Sequence, residues 1–263
     1  MFFDPKKINL NYEEVSFVSE DGTKLSGWFF PSPNPSKNKT LILFHGNADN
    51  ISAYFYTLAW VTKHGYDFFL FDYRGFGKSE GVPSEEGTVN DSVAAVKRVL
   101  QGFDGREPKK VILYGESLGG AVVLGAFRKF PNKEKIEAVV VEGGFSSYPD
   151  IARQKLSSFW LTWPLQPLSY VLVDDLYSGS RHIKDIAPVP LLVIHGDHDP
   201  VVPFQNGETI YGLAHEPKFF WKIAGGKHID SMFIDHEKNR DRLIHYFELL
   251  ENNKNESLKA ELQ

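Results

Sequence analysis

Six short apolar runs, spaced by stretches long enough for helices, constrain the fold of this chain most. They are Leu41–Phe44, Phe68–Phe71, Val111–Tyr114, Ala138–Val141, Leu191–Ile194 and Phe219–Ile223. None shows the apolar/polar alternation of a half-exposed strand, so each must be covered on both faces, as in a parallel sheet between helices. The intervening patterns predict helices near Ser52–Lys63, Val89–Leu100, Leu118–Lys129, Phe204–Leu213 and Asp235–Leu250. Ahead of them, Val15–Val18 and Leu25–Phe30 flank Glu20-Asp21-Gly22-Thr23, a hairpin signature. Residues 31–36, with three prolines, read as a loop. The expected fold class is α/β: a mostly parallel sheet with an antiparallel N-terminal hairpin.

One stretch breaks the rhythm. Residues 145–185 carry Phe159, Trp160, Trp163, Tyr170 and three prolines between two sheet strands. So long a connection in a compact domain usually has a purpose, and a helical cap is expected. With 263 residues the chain suits a single domain, and its polar tail, 251–263, should fray.

Composition removes whole classes of chemistry. Without cysteine there is no disulfide, thiolate-held metal or thiol nucleophile. A net charge of −5 argues against nucleic acid as partner, because phosphate binding needs a basic face. The start, Met1-Phe2-Phe3-Asp4-Pro5, is too short an apolar stretch for a signal sequence, and no run approaches the roughly 18 residues of a spanning helix. A cytoplasmic chain without a transmembrane segment is expected.

Gly115-Glu116-Ser117-Leu118-Gly119 matches G-x-S-x-G. The pattern alone is weak, but here a strand precedes it and a helix follows, which lifts a serine hydroxyl above the sheet's carboxyl edge. Serine is inert at neutral pH unless a base takes its proton and a carboxylate orients that base. Ile194-His195-Gly196-Asp197-His198-Asp199-Pro200 and Ala224-Gly225-Gly226-Lys227-His228 follow the last two strands, in the chain order serine, acid, histidine. Asp199 is preferred as the acid, because the turn after Gly196 should project the later residue inward; Asp197 and Glu142 are the alternatives. Oxyanion donors are expected at the backbone N–H of Leu118 and, from the loop after the first parallel strand, of Asn47.

Two rival chemistries fail on their residues. Gly77-Lys78-Ser79 mimics the end of a phosphate-binding loop, but Asp72 stands where its first glycine belongs, so the segment is read as a pocket wall. His195 and His198 could suggest a metal with Asp199, but no further clustered ligand and no H-E-x-x-H pattern supports one, so no metal is expected.

These motifs together resemble the α/β-hydrolase superfamily, in particular the serine hydrolases related to Bem46. The matching pieces are His45-Gly46-Asn47-Ala48, Asp72-Tyr73-Arg74-Gly75-Phe76-Gly77, Gly115-Glu116-Ser117-Leu118-Gly119-Gly120, His195-Gly196-x-x-Asp199 with Val202-Pro203, and Gly225-Gly226-Lys227-His228. The resemblance implies Ser117, Asp199 and His228 as catalytic triad and Asn47 and Leu118 as oxyanion donors. A small-molecule carboxylic ester or thioester with an apolar acyl part is the expected substrate, and no cofactor is expected. A serine peptidase on the same fold and a non-catalytic ligand-binding protein are the alternatives. Phe159, Trp160, Trp163 and Tyr170 are the candidate acyl-binding residues. Relatives usually carry a small residue before the histidine and Asn or Asp after it; Lys227 and Ile229 stand there.

Overall fold

The structure is a computed structural model that describes residues 4–157 and 161–252, apart from the side chain of Trp163. Among the described residues, eight strands form one sheet in the order β1-β2-β4-β3-β5-β6-β7-β8. β1 (Glu13–Val18) and β2 (Lys24–Phe30) make the expected hairpin, and β2 runs antiparallel to β4 (Asp67–Asp72). The rest is parallel: β3 (Lys39–Phe44), β5 (Lys110–Glu116), β6 (Ile136–Glu142), β7 (Leu191–Gly196) and β8 (Lys218–Ile223). The hairpin thus extends one edge.

The continuous apolar runs divide by alternate residues. Ile42, Phe44, Leu113, Val139 and Val141 join a core on one face, with Val89, Val96 and Leu124 from the helices. Leu41, Leu43, Ile112, Tyr114, Ala138 and Val140 join a second core on the other, with Phe55, Leu243 and Phe247. A period-2 backbone sandwiched between helices requires both sets to be apolar, which is why no alternation shows in the sequence.

Helices α1 (Ile51–Leu58) and α7 (His236–Glu251) cover the second face, and α2 (Glu85–Leu100), α3 (Leu118–Ala126) and α6 (Gln205–Leu213) the first. α2 begins four residues before the expected Val89, because Ser84 caps it by accepting the Gly87 N–H at 3.1 Å. α1 gives way at Ala59 to a 3₁₀ turn through His64, where Trp60 Nε1 and Thr62 Oγ1 donate to the carbonyls of Thr57 and Ala59. Between β6 and β7 lies the cap, with α4 (Tyr148–Ser157), a 3₁₀ turn over Trp163–Leu168 and the single turn α5 (Ser169–Leu172). Asn206 of α6 holds it by donating to Gln154 at 3.0 Å.

Candidate active site

Ser117, Asp199 and His228 each sit just past the carboxyl end of a strand. Ser117 follows β5 directly, with φ 54° and ψ −115°, a backbone conformation that costs on the order of 1–3 kcal/mol. Its N–H donates to Glu142 O at 2.9 Å, which ties this bend to the end of β6. Small residues are obligatory here: a side-chain carbon on Gly119 would lie 1.8 Å from Phe44 O. The helix that opens at Leu118 is therefore drawn against β3, with the serine at its N-terminus.

The acid arrives from the loop after β7. Asp199 Oδ1 accepts the N–H groups of Val201 (2.7 Å) and Val202 (2.8 Å), which leaves Oδ2 facing His228 Nδ1 at 2.7 Å. Burial alone would raise its pKa; hydrogen bonds from His195 and His228 and the Val202 N–H outweigh burial and hold the carboxyl well below the usual range. An ionised carboxylate only accepts, so Nδ1 of His228 carries the proton and Nε2 is free to accept. Ser117 Oγ stands 2.9 Å from Nε2. The three side chains form one continuous chain of hydrogen bonds.

The other two carboxylates considered as acids have different partners. Asp197 Oδ1 accepts Gly225 N–H at 2.7 Å and faces His198 Nδ1 at 2.6 Å, so it staples the β7 loop to the β8 loop. Glu142 is buried and accepts from Tyr114 Oη and, at 3.1 Å, from Ser231 N–H. Beside it in the sheet register lies buried Glu116, whose carboxyl is pushed up well above the usual range by burial and by the charge of Glu142. His195 Nε2 donates to Val202 O at 2.9 Å and lies 3.5 Å from Asp199 Oδ2, behind the acid.

The loop after β3 abuts the serine. A side-chain carbon on Gly46 would come within 3.4 Å of Ser117 Cβ, and Asn47, the next residue, is exposed. Leu118 N–H is the first of the helix, a position without an intrahelical acceptor. Buried Asp72 supports this loop: it accepts the N–H of Ile51 at 2.9 Å and of Lys78 at 3.3 Å, and burial pushes its pKa up to about 6. Burial pushes His45, whose Nδ1 donates to Gly46 O, down to about 4. The turn read as a pocket wall acts chiefly as a brace. Arg74 joins Asp91, Asp21 and Ser19, while Phe76 reaches the His45 ring at 5.3 Å.

Of the candidate acyl-binding residues, Phe159 and Trp160 lie outside the described residues, as does the side chain of Trp163. Tyr170 is exposed, and its hydroxyl bonds Asp150 at 2.6 Å. A small apolar cluster includes the residue directly after the serine: Ala121, Phe145 and Val202, with Leu118, Tyr148 and Ile151 packed on it. The position of Phe145, directly after the β6 end Glu142-Gly143-Gly144, is the signal that could have revealed it. Among the described residues, no group of three or more His, Asp or Glu side chains is arranged to hold a metal, and no helix is long and apolar enough to cross a membrane.

Comparison with known proteins agrees with this architecture. The family model described as "Serine aminopeptidase, S33" matches residues 35–173. The chain belongs to this family, within the α/β-hydrolase superfamily. It is 39% identical over 238 residues to the protein YfhR of Escherichia coli strain K12, covering 89% of this chain and 80% of that one. The protein bem46 of Schizosaccharomyces pombe is 28% identical over 225 residues, 81% of this chain and 69% of that one. Among solved structures, an esterase of Pyrococcus furiosus shares the fold with TM-score 0.75 at 22% identity, covering 94% of both chains. This α/β hydrolase thus has esterases among its structural neighbours.

Proposed function

We propose that this α/β hydrolase is a serine hydrolase that cleaves carboxylic esters or thioesters through an acyl-enzyme. The observation that carries the reading is the unbroken contact from Ser117 Oγ through His228 to Asp199, at 2.9 and 2.7 Å. His228 Nε2 takes the hydroxyl proton as Oγ attacks the acyl carbonyl, and Asp199 stabilises the imidazolium that forms. The N–H groups of Leu118 and Asn47 receive the oxyanion. Collapse of the tetrahedral intermediate expels the alcohol or thiol, protonated by His228. Water, deprotonated by the same imidazole, then releases the acid. No step needs a cofactor.

An apolar acyl part is supported by Leu118, which flanks the nucleophile, and by Phe145, Tyr148, Ile151 and Val202 packed with it. Phe159, Trp160, Trp163 and Tyr170 of the cap complete the proposed acyl site. A fluorophosphonate probe tests the reading: it labels the wild type and spares Ser117→Ala of equal stability. Labelling of both alike, or of neither, overturns the nucleophile. A p-nitrophenyl ester series then ranks acyl length, and longer apolar chains are the better substrates.

A second reading is an aminopeptidase, which needs acidic groups to hold a free amine. The family description favours it. Aminoacyl-nitroanilides assayed beside the esters decide between the two.

A further inference from the structure

The loop that presents His228 is held by groups outside the proposed relay. Directly after the histidine, Ile229 has φ 47°, a left-handed conformation that β-branched side chains avoid. Such a residue persists only where its surroundings over-determine it. Within the loop, Lys227 N–H donates to Asp230 Oδ1 at 2.9 Å, which closes the turn locally but anchors it to nothing.

The anchor lies two residues beyond the strained one. Buried Ser231 donates its N–H to Glu142 Oε1 at 3.1 Å, and its carbonyl accepts from Asn239 Nδ2 at 2.8 Å. Glu142 is itself fixed, because its second oxygen accepts from buried Tyr114. The neighbouring Gly143 forms a floor under the imidazole: a side-chain carbon there would lie 3.3 Å from His228 Nδ1 and 3.2 Å from Ile229 Cγ2. The end of β6 therefore seats the ring and clamps the chain that carries it.

We propose that Glu142 is a positioning residue for His228: by pinning the Ser231 N–H it keeps the strained Ile229 turn closed and the imidazole between Ser117 and Asp199. This role rests on the hydrolase reading above. It requires an acceptor at Oε1 and not a negative charge, so glutamine should serve where leucine cannot.

Full-length Glu142→Gln, Glu142→Leu and Glu142→Leu/Ile229→Gly test it, with kcat expressed per site titrated by an ester burst. Glu142→Leu loses about 100-fold in kcat with little change in KM, the usual scale for an ångström of misplacement. Glu142→Gln stays close to the wild type. Adding Ile229→Gly recovers about tenfold of the loss, because glycine adopts the turn without strain. Wild-type kcat in Glu142→Leu overturns the proposal. So do equal losses in the Gln and Leu variants without recovery by Ile229→Gly. If Glu142→Leu does not fold, Asn239→Ala releases the same Ser231 from its carbonyl side. The same loss and recovery are expected there, and wild-type kcat would overturn the clamp. The downfield Nδ1 proton of His228, read by NMR, is retained in Glu142→Gln and lost in Glu142→Leu. Its survival in the latter refutes the clamp even if the wild type proves to have no hydrolase activity, which would sink only the functional reading.

Discussion

Replacing Asp199 by asparagine should do more damage than its near-identical shape suggests, and the structure says why. Oδ1 accepts two backbone N–H groups, from Val201 and Val202, so the asparagine oxygen must take that side. The amide NH₂ is then forced onto His228 Nδ1, at a position now 2.7 Å from an acceptor. Two donors cannot face each other at that distance, so the imidazole adopts the tautomer with hydrogen on Nε2. Nε2 then points a proton at Ser117 Oγ and can no longer take one. In a triad this inversion costs about 10⁴-fold in kcat, or about 5 kcal/mol of transition-state stabilisation. Asp199→Ala, which leaves the tautomer free, should lose no more. The check is burst-titrated hydrolysis of a p-nitrophenyl ester by both variants, with circular dichroism to show the fold is kept. Asp199→Asn within about tenfold of wild-type kcat would refute both the acid assignment and the tautomer argument.

Two further outcomes follow from contacts around the site. Gly119→Ala puts a carbon against the Phe44 carbonyl, a backbone atom that cannot step aside, so α3 must lift off β3. A loss of roughly 3 kcal/mol or more in urea unfolding is expected, and a variant as stable as wild type would contradict the close approach. Asp72 titrates near pH 6 in the folded protein, against about 3.9 unfolded, so folding tightens its hold on the proton. Its contribution to stability is complete below about pH 4 and is lost as pH rises through about 6, up to about 3 kcal/mol in all. His45, pushed down to about 4, acts in the opposite direction over the same range, so wild type alone hides the effect. The stability difference between wild type and Asp72→Asn, followed by urea unfolding from pH 4 to 7, isolates it; a flat difference counts against the buried carboxylate.

The α/β sheet was legible from the chain because each apolar run must satisfy both faces of a covered strand. The tight bend at G-x-S-x-G was legible because its glycines leave room where no side chain fits, Gly115 against the backbone of α3 and Gly119 against the Phe44 carbonyl. Order along the chain likewise supplied serine, acid and histidine segments, since parallel strands deliver their following loops to one edge. Periodicity did not locate the start of α2, which depends on a Ser84 cap that no apolar pattern records. It said nothing of Phe145, Tyr148 and Ile151 as neighbours of Leu118 either, because a cap residue's partners depend on how the cap folds back.

The roles of the three competing carboxylates show most clearly where local information ends. Asp197, Asp199 and Glu142 all lie near strand ends, and each could be written as the acid from the sequence. Only the folded loops settle which oxygen meets His228 Nδ1, which staples two loops, and which holds Ser231 three residues past the histidine. The sequence by itself determines which residue types arrive at the sheet edge, because strand and helix periods are properties of neighbours along the chain. Which of them touch is decided by the tertiary structure, because hydrogen bonds between residues 29, 89 and 111 positions apart form only when the sheet has assembled.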